Sequence, residues 1–197
     1  MATSVTLVRH GETEWSRAGR HTGSTDLALT EAGCVEAERL GLALQGQRFD
    51  LVLTSPMARA VETATIAGFG KQAQVESDLL EWNYGEYEGI TTAQIHETRP
   101  DWNLFRDGAP GGEDAVAIGA RVDRVLEKVR SVEGTVALFA HGHVLRVLGA
   151  RWVRLPPEDA ALLALSTATI STLGYERETP VVSTWNMSLE GRFETLS

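Results

Sequence analysis

The sequence has little cysteine and no concentration of positive charge. Cys34 is the single cysteine among 197 residues, so no intramolecular disulfide can form, and a reducing compartment is compatible with the chain. Lys and Arg number 18 against 27 Asp and Glu, which gives a formal net charge of −9, and no basic run is long enough to form a stripe. This charge balance argues against nucleic acid and against an anionic membrane as partners.

Signals for membrane insertion and export are also missing. No apolar run approaches the roughly 18–20 residues that are needed to span a bilayer. Residues 1–4 lead directly into an apolar run at Val5, which leaves no space for a basic segment followed by an apolar signal core. We therefore expect a cytoplasmic protein.

What is present is the composition of an ordinary folded protein. Hydrophobic residues make up 43% of the chain and charged residues 23%, which are proportions typical of soluble globular proteins. Domains commonly contain about 50 to 250 residues. Because no repeat, low-complexity tract or linker divides the sequence, we predict a single domain over residues 1–197.

Short aliphatic runs predict the strands of a buried sheet. The three clearest lie at 5–8, 51–54 and 135–140, and two more follow at 169–175 and 181–185. Helical patterns lie between and after these runs. Strands that alternate with helices predict an α/β fold, namely a three-layer α/β/α sandwich with a mainly parallel central sheet.

Four helices are predicted from periodicity and end signals. The clearest covers 113–131, and a second begins at Thr30. A third begins at Ser55-Pro56, where serine can cap the helix and proline suits its first turn. A fourth follows His143 and ends before the two prolines at 156–157. The second helix is expected to turn these residues inward: Val35, Leu40, Ala43 and Leu44.

The residues that follow the three clearest strands are chemically distinctive. Arg9 and His10 end the first strand, Arg59 comes one turn after the second, and His141 follows the third. In open parallel sheets, ligands bind in a crevice beyond the carboxyl ends of the strands. We therefore expect two histidines and two arginines from distant parts of the chain to meet in one crevice.

These residue types suit the transfer of a phosphoryl group. Planar guanidinium groups such as those of Arg9 and Arg59 hold a phosphoryl dianion through paired, charge-assisted hydrogen bonds. A neutral imidazole can attack phosphorus directly, and His10 is the candidate nucleophile. Its other ring nitrogen should donate to a backbone carbonyl, which selects the tautomer, and Gly11 would allow close backbone approach there. His141 would donate to a phosphoryl oxygen and, if protonated, offset developing charge.

Hydrolysis also needs a proton donor for the leaving oxygen and later a base for water. One carboxylate with a raised pKa can serve both steps. Glu81 is the candidate because the flanking Leu80 and Trp82 could desolvate it. Glu12 and Glu88 are weaker candidates for the same role.

Four blocks, in order along the chain, resemble the signatures of the histidine phosphatase superfamily. They are Arg9-His10-Gly11-Glu12-Thr13, Thr54-Ser55-Pro56-Met57-Ala58-Arg59-Ala60, Leu80-Glu81-Trp82 with Tyr84-Gly85 and Glu88-Gly89, and His141-Gly142-His143. The resemblance covers nearly the whole chain and implies a phosphoglycerate-mutase-like fold. It further implies that the protein uses no metal. It also implies a phosphate pocket with Glu81 as proton donor, the pocket being formed by Arg9, His10, Arg59 and His141.

The same resemblance implies a substrate pocket beside the phosphate. The run Arg20-His21-Thr22-Gly23 is similar to the family's substrate loop, so Thr22 and Gly23 are expected to line that pocket. Ser16 stands where many members have asparagine and can still donate one hydrogen bond to phosphate. The other expected substrate-binding residues are Tyr84, Gly142 and His143, with Gly142 leaving space for the ligand.

Within the family, the sequence favours hydrolysis of small phosphorylated metabolites over mutase activity. The family's phosphoglycerate mutases have a longer insertion with adjacent arginines that bind the substrate carboxylate. Here Glu81 and His141 lie only 60 residues apart, and Arg99 and Arg106 are not adjacent. The chain most resembles compact actinobacterial acid phosphatases and sugar bisphosphatases. A bisphosphoglycerate-dependent mutase and a non-catalytic phosphate-binding module stay open as alternatives.

Three further expectations concern metal, assembly and the other histidines. His141 and His143 could be metal ligands, but metal sites usually add Asp, Glu or Cys at matching spacing, so we expect neither metal nor cofactor. A homodimer is compatible with the sequence because dimers are common among soluble enzymes. We expect His96 at the surface, and His21 either at the pocket rim or in a solvated loop.

Overall fold

The computed structural model describes residues 3–189; the ends of the predicted domain, residues 1–2 and 190–197, lie outside the described residues. Six strands occur within this range: β1 (Ser4–Arg9), β2 (Leu51–Thr54), β3 (Ala73–Val75), β4 (Thr135–Ala140), β5 (Ile170–Glu176) and β6 (Thr179–Met187). The α-helices in the same range are α1 (Glu14–Arg17), α2 (Glu31–Ala43), α3 (Ala58–Ile66), α4 (Thr92–Thr98), α5 (Leu104–Asp107), α6 (Ala115–Arg130) and α7 (Gly142–Trp152). Short 3-10 turns cover Ser77–Leu79, Gly85–Tyr87 and Pro157–Leu162. None of the helices over residues 3–189 is long and apolar enough to cross a membrane.

The strands form one mainly parallel sheet in the order β3-β2-β4-β1-β5-β6. The strands β1 to β4 run parallel to their neighbours, whereas β5 pairs antiparallel with β1 and β6 pairs antiparallel with β5. All five predicted strands are confirmed, with ends that differ by at most two residues. The sixth, β3, was not predicted because it has three residues and its only large apolar side chain, Val75, is 60% exposed.

Helices cover both faces of the sheet. Successive side chains of a strand point to opposite faces, and Leu7 and Val8 of β1 accordingly belong to two different core clusters. The cluster around Leu7 includes buried residues of α6 and α7, and the cluster around Val8 includes residues of α2 and α3. The predicted three-layer α/β/α sandwich is therefore confirmed.

The predicted helix over 113–131 is confirmed as α6, whose inward stripe consists of Ile118, Val122, Val125, Leu126 and Val129. Asp114 caps this helix through a 2.8 Å bond from the Ala117 N–H. The helix predicted to follow His143 begins two residues earlier, at Gly142, and already ends at Trp152.

The predicted start of α2 at Thr30 is correct, but its predicted inner face is wrong at Val35. Thr30 caps the helix by accepting from the Gly33 N–H, and Leu40 is fully buried. Val35, however, is 47% exposed. The reason is Gly33, at which a Cβ atom would collide with the backbone of Glu12, so the helix presents Gly33 to the loop that follows β1 and turns Val35 towards solvent.

The predicted start of α3 at Ser55-Pro56 is wrong by three residues, because the helix begins at Ala58. Met57 occupies the cap position and provides no side-chain hydrogen bond. The Ser55 hydroxyl lies 2.7 Å from Nε2 of His141 instead. The same hydroxyl accepts the Met57 N–H at 3.4 Å, so serine at this strand end links the residue that follows β4 to the cap of α3.

A loop before β5 closes the edge of the sheet where the predicted site lies. Its Leu165 carbonyl accepts a hydrogen bond from Nη1 of Arg9, and its Ala168 N–H donates to the His10 carbonyl at 3.1 Å. Side chains of β6 in turn hold this loop. The residues at the end of β1 are thus fixed by a segment more than 150 positions away along the chain.

Candidate active site

His10 follows β1 and has a defined tautomer. Its Nδ1 lies 2.7 Å from the Gly11 carbonyl, which can only accept, so Nδ1 carries the proton and Nε2 keeps its lone pair. Burial, followed by the charges of Arg9 and Arg59, lowers the pKa of His10 from 6.5 to about 3. The imidazole is therefore neutral near pH 7.

The predicted role of Gly11 needs correction, because a Cβ there would lie 2.5 Å from the Gly33 carbonyl oxygen: Gly11 makes room for α2.

Arg9 presents a buried donor that lacks a partner. Its Nε makes no hydrogen bond within residues 3–189, although the atom is inaccessible to solvent. Buried polar groups without a partner are rare in folded proteins, and an arginine stays charged in proteins.

Gly142 lies against the Arg9 side chain, because a Cβ there would be 3.2 Å from Arg9 Cζ. The absence of a side chain at Gly142 therefore leaves space for the guanidinium group, while its expected contact with a ligand stays a prediction.

Arg59 and His141 lie behind His10 rather than on the wall of the cavity. The Arg59 Nε donates to Nδ1 of His141 at 3.0 Å, and its remaining bonds reach the carbonyls of Thr22, Gly23 and Thr25. The rings of His10 and His141 are 5.1 Å apart between centroids. Burial, and then the charges of Arg59 and His10, bring the pKa of His141 well below its usual value. The condition under which His141 would offset charge, a protonated ring, is therefore not met in this arrangement.

Glu81 is held as a carboxylate by the N-terminus of α7. Its oxygens accept the backbone N–H groups of His143 at 3.0 Å and Val144 at 2.9 Å, as well as that of Trp82. Burial alone would raise the pKa of this carboxyl, but contacts with His143 and the nearby His141 bring the pKa well below its usual value. The expectation of a raised pKa is wrong, because the contacts with His143 and His141, together with the N–H groups of α7, stabilise the anion more than burial destabilises it.

Three aromatic side chains form a cluster beside Glu81. The Tyr84 hydroxyl lies 2.6 Å from Nδ1 of His143, and the ring of His21 lies 4.7 Å from that of Tyr84. Burial raises the pKa of Tyr84 well above its usual value, so the hydroxyl that is bonded to His143 keeps its proton. Burial also lowers the pKa of His21 to about 4. The cluster thus presents neutral groups to the cavity, and His21 lies in its wall; His96 is exposed, as expected.

The remaining predicted residues differ in their placement. Ser16 and Thr22 line the cavity, but the Ser16 hydroxyl donates to the Thr13 carbonyl as part of the cap of α1. Gly23 does not line the cavity. Its N–H donates to the Glu88 carboxylate instead, and its carbonyl accepts from Arg59. Glu88 therefore anchors the loop around Gly23. Glu12, the other weaker acid candidate, accepts from Thr30 at the start of α2.

These side chains surround a cavity of about 250 Å³. Its lining consists of Arg9, His10, Ser16, Gly19, Arg20, His21, Thr22, Glu81, Tyr84, Thr92 and His143. The sequence analysis missed Gly19, Arg20 and Thr92; Arg20 could have been found, because it belongs to the run that resembles a substrate loop. Among residues 3–189, no three His, Cys, Asp or Glu side chains gather in a way that could hold a metal ion.

The chain is similar to known proteins over most of its length. The family model described as the histidine phosphatase superfamily (branch 1) matches residues 5–188. An acid phosphatase of Mycobacterium tuberculosis is 41% identical over 176 residues, which cover 86% of this chain and 85% of the relative. A 2,3-bisphosphoglycerate-dependent phosphoglycerate mutase of Cytophaga hutchinsonii is 32% identical, with 83% of each chain covered. The solved structure of an open reading frame product of Mycobacterium tuberculosis superimposes with a TM-score of 0.89 at 36% identity, covering 95% of this chain and 98% of that one.

Proposed function

This chain belongs to the histidine phosphatase superfamily (branch 1), and from that premise we propose that it is a phosphomonoesterase that hydrolyses small phosphorylated metabolites through a phosphohistidine on His10. The observation that carries the proposal is the state of His10: neutral, fixed at Nδ1 by the Gly11 carbonyl, and facing a cavity that it shares with Arg9. A neutral imidazole with a free Nε2 lone pair is a nucleophile. The unpaired Nε–H of Arg9 is a suitable donor for a phosphoryl oxygen.

The first step transfers the phosphoryl group to the imidazole. The Nε2 lone pair of His10 forms the N–P bond while the bond between phosphorus and the leaving oxygen breaks, and that oxygen keeps the electron pair. Arg9 offsets the charge on the phosphoryl oxygens during this exchange. Burial, with the charges of Arg9 and Arg59, lowers the pKa of His10 and so keeps it unprotonated until it attacks.

Glu81 handles the proton in both steps. Because its pKa is low, Glu81 is an anion before the substrate arrives, so the proton that the leaving oxygen needs enters with the ester as its monoanion. Glu81 takes this proton from the phosphoryl group and passes it to the leaving oxygen. In the second step water attacks phosphorus, its proton goes to Glu81, and the N–P electron pair returns to His10. Phosphate esters lose their second proton at about pH 6, so the rate should fall above that pH.

The cavity favours small, polar leaving groups. Its volume of about 250 Å³ lies below the roughly 300–1,000 Å³ of sites for drug-sized ligands. Arg20, Thr22 and Thr92 contribute polar groups to its wall. The guanidinium of Arg20 makes no hydrogen bond or ion pair in the described part of the chain, so it is available for a second anionic group of the substrate. These features support hydroxylated metabolites that carry an additional carboxylate or phosphate.

A trapping experiment tests the nucleophile. Wild-type protein is mixed with a phosphate-labelled aryl ester and quenched within milliseconds; acid-labile label on a peptide that contains His10 is the expected result. His10→Asn keeps an amide donor for the Gly11 carbonyl but removes Nε2, so turnover should fall by at least about 10³-fold. His96→Asn, at an exposed position, is the matched control and should behave like the wild type. A fully active His10→Asn variant would refute the proposal, and turnover lost on dialysis against a chelator would show that a metal takes part.

Two assays separate the alternatives. With 3-phosphoglycerate and its bisphosphate primer, phosphate release should exceed isomerisation; the opposite result would establish the mutase. A phosphate-binding module would bind phosphate with the same residues but would never release product from any ester. Turnover by the wild type excludes that alternative.

A further inference from the structure

The guanidinium group of Arg121, on α6, donates hydrogen bonds to Glu113 and to the segment that carries Glu81. Its Nε donates to Oε1 of Glu113 at 2.8 Å, and Nη1 donates to the carbonyls of Asp78 and Leu80 at 2.8 and 2.6 Å. Its Nη2 donates to the Glu81 carbonyl and to Oε2 of Glu113, both at 3.0 Å. A guanidinium has five N–H donors, so every donor of this 9% exposed side chain is engaged.

Glu113 holds the other half of the same segment. Its carboxylate accepts the Asn83 N–H at 2.8 Å, its carbonyl accepts Nε1 of Trp82 at 3.0 Å, and its own N–H donates to the Asn83 carbonyl at 2.9 Å. Arg121 and Glu113 together contact the backbone or side chain of each residue over 80–83. We call this pair the clasp.

The clasp substitutes for regular secondary structure. Residues 80–84 form neither helix nor strand, so their buried carbonyls have no ladder partners and require donors from elsewhere. One side of Glu81, its backbone carbonyl, is bound by Arg121. The other side, its carboxylate, is bound by the N–H groups of His143 and Val144. The position of the carboxylate in the cavity is therefore fixed between α6 and α7.

From this geometry we infer that Arg121, with Glu113, is a positioning residue for proton transfer by Glu81. The inference rests on the proposed function and adds to it a residue that lies outside the cavity and touches no substrate. Arg121→Lys keeps the charge but offers at most three donors in place of five, without the planar fork that serves two carbonyls and a carboxylate together. The segment then loses support at the Glu81 carbonyl, and misplacement of a reacting group by about 1 Å can cost roughly 10²-fold in rate.

The matched control is Arg124→Lys. Arg124 lies one turn further along α6 and pairs with Asp78, which precedes the segment over 80–83; the two bonds to the Asp78 carboxylate are 2.6 and 2.8 Å long. Its side chain is 59% exposed and contacts no backbone group of the segment over 80–83. The two variants thus make the same change on the same helix, and only one of them removes a contact to Glu81.

The readout is the ratio of kcat/KM for two esters, one with a poor alkyl leaving group and one with an acidic nitrophenolate that leaves without a proton. For Arg121→Lys, we expect the alkyl ester to lose about 10²-fold and the activated aryl ester to lose much less. Arg124→Lys should keep the wild-type ratio. The ratio does not depend on the folded fraction, so a poorly folding variant still gives an answer; if Arg121→Lys cannot be isolated, Glu113→Gln makes the same test.

Equal losses for both esters, or a ratio like that of Arg124→Lys, would overturn the positioning role while leaving the proposed function intact. A wild-type protein that hydrolyses neither ester would instead remove the proposed function itself. The two failures are therefore distinguishable in one set of measurements.

Discussion

Replacing His10 with asparagine should flatten the pH dependence of stability on the acidic side. The pKa of His10 falls from 6.5 to about 3 on folding because of burial and the charges of Arg9 and Arg59. As the pH falls below 6.5, the unfolded chain takes up this proton first. The stability that neutral His10 contributes is therefore complete above about pH 6.5 and is lost as the pH falls from 6.5 towards 3.

The magnitude follows from these two pKa values. Between pH 7 and pH 5 the unfolded imidazole becomes almost fully protonated while the folded one stays neutral, which costs about 2 kcal/mol at that position. For a protein of this size, about 2 kcal/mol corresponds to a shift in Tm of roughly 4–8 °C. His10→Asn retains the donor to the Gly11 carbonyl and cannot be protonated, so its stability should fall by about 2 kcal/mol less over the same interval.

The assay is urea unfolding at several pH values between 5 and 7, followed by circular dichroism. The wild type, His10→Asn and His96→Asn are compared, the last being a histidine-to-asparagine change at an exposed position outside the cavity. We expect His10→Asn to have a shallower slope of stability against pH than either the wild type or His96→Asn. Parallel slopes for wild type and His10→Asn would show that His10 is not held neutral by its surroundings.

Two further predictions concern the substrate and the phosphate. Arg20→Ala should raise KM about three- to tenfold for esters with a second anionic group and leave kcat unchanged, with Arg17→Ala as the exposed control; an equal rise for uncharged leaving groups would contradict this. Gly142→Ala would place a Cβ atom 3.2 Å from Arg9 Cζ and so displace the guanidinium group that we propose binds phosphate. The inhibition constant of inorganic phosphate should therefore rise by at least about tenfold. Gly174→Ala, whose Cβ would meet a serine hydroxyl at 3.4 Å, is the control for a glycine change in general.

The sequence predicted the sheet and the convergence of its strand ends because both depend on local patterns. Buried parallel strands are read from continuous aliphatic runs, and the topology then brings Arg9, His10 and Glu81 to one cavity. Short or polar elements left no such pattern, which is why β3 was missed. The inner face of α2 was misjudged at Val35 because Gly33 decides the packing, and a glycine carries no hydrophobic signal.

The electrostatic state of the site was beyond local patterns. Neighbours in sequence suggested a raised pKa for Glu81, but its buried carboxylate is bound by backbone N–H groups of α7, about 60 positions further along the chain. Likewise Glu88 was a weaker candidate for the proton donor, but its carboxylate accepts the N–H of Gly23. Arg121 could not have been singled out at all, because only the folded chain shows which carbonyls lack a ladder partner. Protonation states depend on groups that come together only in three dimensions.

The contacts of the loop before β5 bear on when this protein can become active during its synthesis. The carbonyl of Leu165 and the amide of Ala168, which hold Arg9 and His10, are made more than 150 codons after those two residues. Strand β6, which holds the loop, is translated later still. A nascent chain that already contains every proposed catalytic group therefore still lacks the framework that aligns its nucleophile.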